Sequence, residues 1–317
     1  MSKRPSLIPK TRTWGLGMAS LTAIISGFAI FINSYGVKAW SASGGTSTAY
    51  TGAKNLVAAL VLVGGVMLFS ARKSEDGLTR PGTRAQWLGL GVVGVFGGGV
   101  AFLLFFEGLT RAVSTQAALI HKSLLIWVGL LAVLFLREKL GGWHLAALGL
   151  LVGGQLALAG GVTDLALGSG ELMILAATLI WSIEVVVAKR LLADLSPLTV
   201  GTARMAIGVA VLVAWGLATG AFAGLADLGW SQWGWAMATG LILSGYVGTW
   251  FFALARAPAV DVTAVLVLSV VITAALQSAV NGVAIVDEAW GLGLVTVGAA
   301  LVLIRGVVAN RRAALPQ

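Results

Sequence analysis

His121 and Lys122 stand side by side in the apolar stretch ALIHKSLLIWVGLLAVLF (118–135). A charge at the centre of a bilayer costs about 2.5–3.5 kcal/mol on insertion scales, so the pair asks for a chemical reason. Lys54, Glu184 and Arg204 also sit in apolar surroundings. These residue types can recognise an anion. They can also carry a coupling proton, since a low dielectric disfavours charge on lysine and histidine. Lys54, His121, Lys122 and Arg204 against the single acid Glu184 make a net positive site, suited to a carboxylate or another anionic group. Trp127, Trp181 and Trp250 offer flat walls for an apolar or aromatic body.

Other chemistries find no residues. The chain lacks cysteine and has only two histidines, so thiolate and His-rich metal sites are not expected. G-x-S-x-G, H-E-x-x-H and His-x4-Asp patterns are absent, which argues against an intramembrane hydrolase built on His121 or His144. GVFGGG (94–99) follows no strand and precedes no Gly-Lys-Ser, so it is not a phosphate loop. The expectation is a protein with no enzymatic activity, no cofactor and no metal, not driven directly by ATP.

The elements that must position these residues are membrane helices. Of 317 residues, 58% are hydrophobic and 10% charged, with mean hydropathy +0.95. A soluble surface alone needs roughly a quarter charged residues. Runs long enough for a core of roughly 30 Å recur. They lie near 14–35, 46–70, 87–106, 113–136, 143–161, 170–191, 197–219, 233–254, 262–283 and 289–308. Trp14, Trp87, Trp143, Trp233 and Trp290 open runs, as rings at headgroup level would. The first run is longer than a signal-peptide core and is expected to be retained.

Positive charge gives direction. Lys3, Arg4, Lys10 and Arg12 precede the first run; Arg72, Lys73, Arg80 and Arg84 follow the second. Arg137, Lys139, Lys189, Arg190, Arg256, Arg305, Arg311 and Arg312 fall on the same side, against Lys38 and Arg111 on the other. The positive-inside rule puts both termini in the cytoplasm. The net charge of +9 is therefore a topology signal, and nucleic acid is not an expected partner. The expected partners are the lipid bilayer of the plasma membrane and a small-molecule substrate, with monomer and homodimer both open.

The halves resemble each other. KNLVAALVLV from Lys54 aligns with RMAIGVAVLV from Arg204, and GVAFLLFF from Gly99 with GYVGTWFF from Gly245. Glu138 before WHLAALGLL parallels Asp287-Glu288 before WGLGLVTVG. Five spans per half is odd, so the second copy must be inverted, an arrangement that places transporter sites at the repeat interface near the midplane. The expected fold is all-α integral membrane, with ten transmembrane helices as two inverted repeats, 1–162 and 163–317.

These features resemble the drug/metabolite transporter superfamily, specifically its EamA-type family of two tandem five-helix repeats. Lys54 and Arg204 opening spans 2 and 7 carry the resemblance. So do VSTQAALIHKSLLIWVGLLAVLFLREKL and its partner VDVTAVLVLSVVITAALQSAVNGVAIVDEAW. Many members have a proline midway along spans 4 and 9, where this chain has Lys122-Ser123 and Val271-Ile272. The resemblance implies a secondary transporter, commonly an exporter, of amino acids, other metabolites or drugs.

Each polar residue also has a structural reading. Lys54 lies ~12 Å into its span, and Arg204 at similar depth from the other face. Buried charges are normally paired, so Arg204 is a partner for Glu184, and Lys54 for Glu107 or backbone carbonyls. Glu107 can instead pair with Arg111 at i,i+4. Ser114, Ala118, His121, Gly129 and Ala132 form a small or polar face, and a lysine stem of about 6 Å at the midplane cannot snorkel to either interface. The motifs Gly94-x-x-x-Gly98 and Gly149-x-x-x-Gly153 read as close helix packing. The leading expectation is alternating-access transport of amino acids or organic anions. A multidrug or cation exporter, a membrane scaffold and an intramembrane enzyme are the alternatives.

Overall fold

A computed structural model describes residues 8–69, 77–112, 114–160, 168–282 and 284–313. Lys3, Arg4, Arg72 and Lys73 of the basic set, and the 162/163 repeat boundary, lie outside them. The described residues are helical throughout, without strands. In chain order the helices are α1 (Ile8–Ala42), α2 (Ser47–Phe69), α3 (Arg84–Arg111), α4 (Gln116–Leu136) and α5 (Gly142–Leu158). They continue as α6 (Ser169–Leu191), α7 (Pro197–Ala218), α8 (Trp230–Arg256), α9 (Ala259–Asn281) and α10 (Ala289–Ala313).

Eight of these are long and apolar enough to cross a membrane. Helix α5 is shorter, at 17 residues. Helix α2 has the length, at 23 residues, but its first half carries Ser47, Thr48, Thr51, Lys54 and Asn55. The chain is a multi-pass membrane protein. Burial runs opposite to that of a soluble protein: Leu88, Leu134 and Leu217 face outward while Lys54, Glu184, Arg204 and Asp261 are enclosed. Trp14, Trp87 and Trp290 stay exposed at helix starts, as expected of interfacial rings.

Packing partners exchange in pairs between the halves. Helix α1 lies against α8 as α6 lies against α3, and α2 against α8 as α7 lies against α3. Helix α1 meets α9 as α6 meets α4. The close approaches repeat too. A Cβ on Gly98 of α3 would run into the Arg204 carbonyl of α7, and one on Gly240 of α8 would lie 2.7 Å from the Lys54 carbonyl of α2. The two cations therefore ride on backbones that neighbouring helices can approach only through glycine.

Gly94 and Gly98 seat α3 on α7, as the sequence implies. The α5 motif does not behave the same way. Gly149 faces open space and Gly153 touches only Leu294 at 4.0 Å, whereas Gly154 meets the Gly291 carbonyl of α10 at 2.7 Å. The packing seam runs one residue beyond the motif.

Helices α4 and α9 are both broken without proline. At Ser123 the backbone N–H donates to Leu119 O and Ile120 O, and the hydroxyl donates to Ile120 O at 2.6 Å. Such back-bonding competes with the helical ladder and bends it. In α9 the break falls at Val267–Leu268, several residues before Val271-Ile272. There Val267, Leu268 and Val270 donate to carbonyls three residues back, the tighter 3₁₀ spacing.

The glycine contacts predict opposite outcomes for one added methyl. Gly98→Ala should lower the thermal midpoint, at a cost of about 1–3 kcal/mol for overpacking. Gly149→Ala should leave it unchanged or raise it slightly. Thermal unfolding of the two detergent-purified variants beside wild type checks this.

Candidate functional site

Glu184 of α6 and Arg204 of α7 form a buried ion pair. Arg204 Nε donates to Glu184 Oε1 at 2.5 Å, and Nη2 to Oε2 at 3.4 Å and to the Gly97 carbonyl at 3.2 Å. Trp181, one turn before Glu184, donates its indole N–H to the same carbonyl at 3.0 Å. That carbonyl is free to accept for a local reason. Residues Val93–Val100 of α3 are wound as π-helix, and the Ala101 N–H bonds back five residues to Phe96 O. Where π spacing returns to α spacing, one carbonyl loses its helical donor, and such bulges concentrate at functional sites. Gly97 takes two side-chain donors instead, and a Cβ there would strike the Glu184 carboxylate.

Lys54 has different surroundings. Its ammonium donates to Asn33 Oδ1 at 3.1 Å, and Tyr50 shares that acceptor at 3.4 Å while donating to Thr239 Oγ1 at 3.0 Å. The ammonium lies 4.8 Å from the Phe106 ring centroid and 5.4 Å from that of Tyr50, within cation–π range. Glu107 does not serve it, because Arg111 pairs with Glu107 four residues on. Among the described residues no carboxylate lies within 4 Å of Lys54, which is only 6% exposed.

An aromatic group joins the two cations. Phe102, Phe105 and Phe106 share one face of α3. Phe106 sits under Lys54, and the Arg204 guanidinium lies 5.5 Å from Phe102. Trp181 packs on Phe102 at 5.4 Å and Phe105 at 5.3 Å. The His121 ring closes the group, 4.8 Å from Phe105 and 5.2 Å from Trp181, and its Nδ1 is buried without a hydrogen-bond partner.

Of the residues singled out by sequence, the structure thus gathers Lys54, His121, Trp181, Glu184 and Arg204 around α3. It does not bring in the others by direct contact. Lys122 ends the first half of α4, just before the break, and is partly exposed. Trp127 donates to Ser123 Oγ at 3.0 Å, and Trp250 stacks on Tyr246 at 6.2 Å. The small face of α4 is not continuous: Ala118 is exposed while Gly129 and Ala132 are buried, because the helix bends between them. The Ser114 side chain lies outside the described residues.

Sequence reasoning missed Asn33, Tyr50 and Gly97, and the phenylalanines of α3. Phe102, Phe105 and Phe106 carried a usable signal, the i, i+3, i+4 spacing of one helix face. Asn33 and Gly97 carried none. Among the described residues, no group of three or more His, Asp or Glu side chains could hold a metal.

The model of the EamA-like transporter family matches residues 13–159 and again 168–304. The chain belongs to the EamA-like transporter family. The two matched segments are the two repeats, and a transporter family accords with the lack of hydrolase motifs. A solved structure described only as "Crystal structure of protein" is similar in fold, with a TM-score of 0.73. It shares 19% identity, over 93% of this chain and 99% of its own. No curated protein matches. Membership in the EamA-like family gives the architecture; the node around Gly97 is read from this chain's own side chains.

Removing one partner of a buried ion pair strands the other charge, which costs about 3–5 kcal/mol, whereas replacing both by apolar groups is often tolerated. Glu184→Leu and Arg204→Met should each lower the thermal midpoint sharply, and the double variant should recover most of the loss. A double variant as unstable as the singles would show that the bonds to Gly97 carry the stability.

Proposed function

We propose that this chain is a secondary transporter that crosses the plasma membrane ten times, as two inverted repeats with both termini in the cytoplasm. It moves small metabolites bearing an anionic group, such as amino acids or organic anions, by alternating access. The observation that carries this reading is Lys54, a buried ammonium with the Asn33 amide and the Tyr50 and Phe106 rings around it and, among the described residues, no carboxylate within 4 Å. Arg204 is already neutralised by Glu184. A substrate carboxylate would supply the charge that Lys54 lacks, in a low-dielectric setting that strengthens such a contact.

The neighbouring rings give the rest of the substrate its surroundings. Phe106 lies against the ammonium, and Phe105, Trp181 and His121 continue from it ring on ring, so an amphipathic metabolite suits the site better than a small inorganic anion. The His121 ring in that group has an unpartnered nitrogen, which supports its taking a substrate hydrogen bond or a coupling proton. A cation exporter is disfavoured by the same geometry. Its natural anchor, Glu184, is held by Arg204 on both oxygens.

A ligand that binds the native state stabilises it by about 2.7 kcal/mol at a hundredfold excess over Kd. Amino acids and organic carboxylates should raise the thermal midpoint of wild type, while their amide or amine analogues should not. The shift should vanish in Lys54→Met and persist in Lys122→Ala, and proteoliposome uptake should follow the same ranking. Stabilisation by cationic drugs alone, unchanged in Lys54→Met, would overturn the anion reading.

A further inference from the structure

We infer that the site selects carboxylates without an ammonium group over the α-amino acids of the same skeleton, and that Asn33 sets this preference by meeting Lys54 with an amide in place of an acid. The inference rests on the anion reading of Lys54 and narrows its substrate class.

The charges around the rings balance except at one place. Arg204 and Glu184 cancel each other. Asn33 of α1 brings Oδ1 to 3.1 Å from the Lys54 ammonium, while its Nδ2 donates to the Ala29 carbonyl at 2.8 Å. That amide offers Lys54 a dipole and no charge. Among the described residues no carboxylate lies within 4 Å of Lys54, or of Lys122 beside His121 in the sequence. Glu107 follows Phe106 in the chain but is partly exposed and held by Arg111. Glu171 stands in the first turn of α6, ten residues before Trp181 and so ~15 Å away along the axis.

A substrate ammonium would also need acceptors, and the strong ones here are engaged. The Gly97 carbonyl takes Arg204 Nη2 at 3.2 Å and the Trp181 indole at 3.0 Å. Both Glu184 oxygens take Arg204, and Asn33 Oδ1 takes Lys54. The rings that attract cations already have them: Phe106 lies under Lys54 and Phe102 beside Arg204. His121 Nδ1 has no partner, but a neutral nitrogen gives an ammonium one hydrogen bond without a counter-charge. A monoanion cancels the charge of Lys54. A zwitterion brings a second ammonium with no acid to meet it, and an unpaired charge in an apolar interior is costly. Asn33→Asp changes this balance with almost no change of shape. Lys54 would then be cancelled by the protein, a lone carboxylate would find no charge, and a zwitterion would carry its own balance.

Matched pairs that differ only in the amine test this: 3-phenylpropanoate with phenylalanine, indole-3-propanoate with tryptophan, and 4-methylpentanoate with leucine. Each is titrated against the thermal midpoint of the detergent-purified protein. In wild type, at least one acid without the amine should reach its half-maximal shift at a concentration tenfold or more below that of its amino acid. Asn33→Asp should weaken that acid by tenfold or more and erase or reverse the preference, and Lys54→Met should remove the shift. If Asn33→Asp does not fold, the wild-type ranking still decides the substrate class. Amino acids acting in wild type at equal or lower concentration than their partners would overturn this inference and leave the anion reading standing. A preference unchanged in folded Asn33→Asp would overturn the role of Asn33. No Lys54-dependent shift from any carboxylate would overturn the anion reading, and this inference with it.

Discussion

Charge inside an apolar bundle has to be answered, and in this protein one answered pair organises the centre. Glu184 and Arg204 neutralise each other, and what they leave unsatisfied reaches the backbone of a third helix. The second guanidinium nitrogen needs an acceptor, and the Gly97 carbonyl supplies it only because α3 is wound there as π-helix. The same stretch must contain glycine, since any side chain at position 97 would enter the carboxylate and any at 98 would enter the α7 backbone. Ion pair, π-helix and glycine run are thus one constraint expressed in three places. The aromatic face of α3 follows from it, because a turn beyond the π segment Phe102, Phe105 and Phe106 emerge toward the two cations.

Burial of polar groups elsewhere obeys the same economy. Lys189 donates to the Leu254 and Ala257 carbonyls, which the end of α8 leaves open. Arg190 donates to Phe135 O at the end of α4, and Glu138 receives the first N–H groups of α9. Helix ends leave such groups unpaired and carry partial charges of matching sign, so cations belong at the carboxyl ends and carboxylates at the amino ends. The basic residues that mark one side of the membrane in the sequence therefore also close helix ends. Charges that read in the sequence as topology signals thus have a structural use as well.

Architecture was legible in the sequence because it is repeated: apolar runs, interfacial tryptophans and a two-copy pattern each restate it along the chain. Arg204–Glu184 and Glu107–Arg111 were legible because charge in hydrocarbon has few possible partners. Packing detail was less so. The α5 glycine motif pointed one residue away from the seam, since spacing identifies a helix face but not its rotation against α10. His121 and Lys122 read as a unit, yet only His121 meets the aromatic group, because consecutive residues on a helix point about 100° apart. Asp261 meets Arg12 and His144, and no local pattern connects residues 12, 144 and 261.

The repeats are most informative where they have diverged. Lys54 and Arg204 occupy equivalent places, each beside a glycine of a neighbouring helix and each beneath a ring of α3. One of them has its acid in the adjoining helix, and among the described residues the other has none within 4 Å. If both cations were merely structural, the same packing in both halves would call for the same neutralisation, and the second half shows that this fold can supply it. The uncompensated member is the one whose state differs with and without an anion. An internal symmetry kept in backbone and broken in charge is what supports the proposal that the fixed pair holds the bundle while Lys54 makes the exchangeable contact.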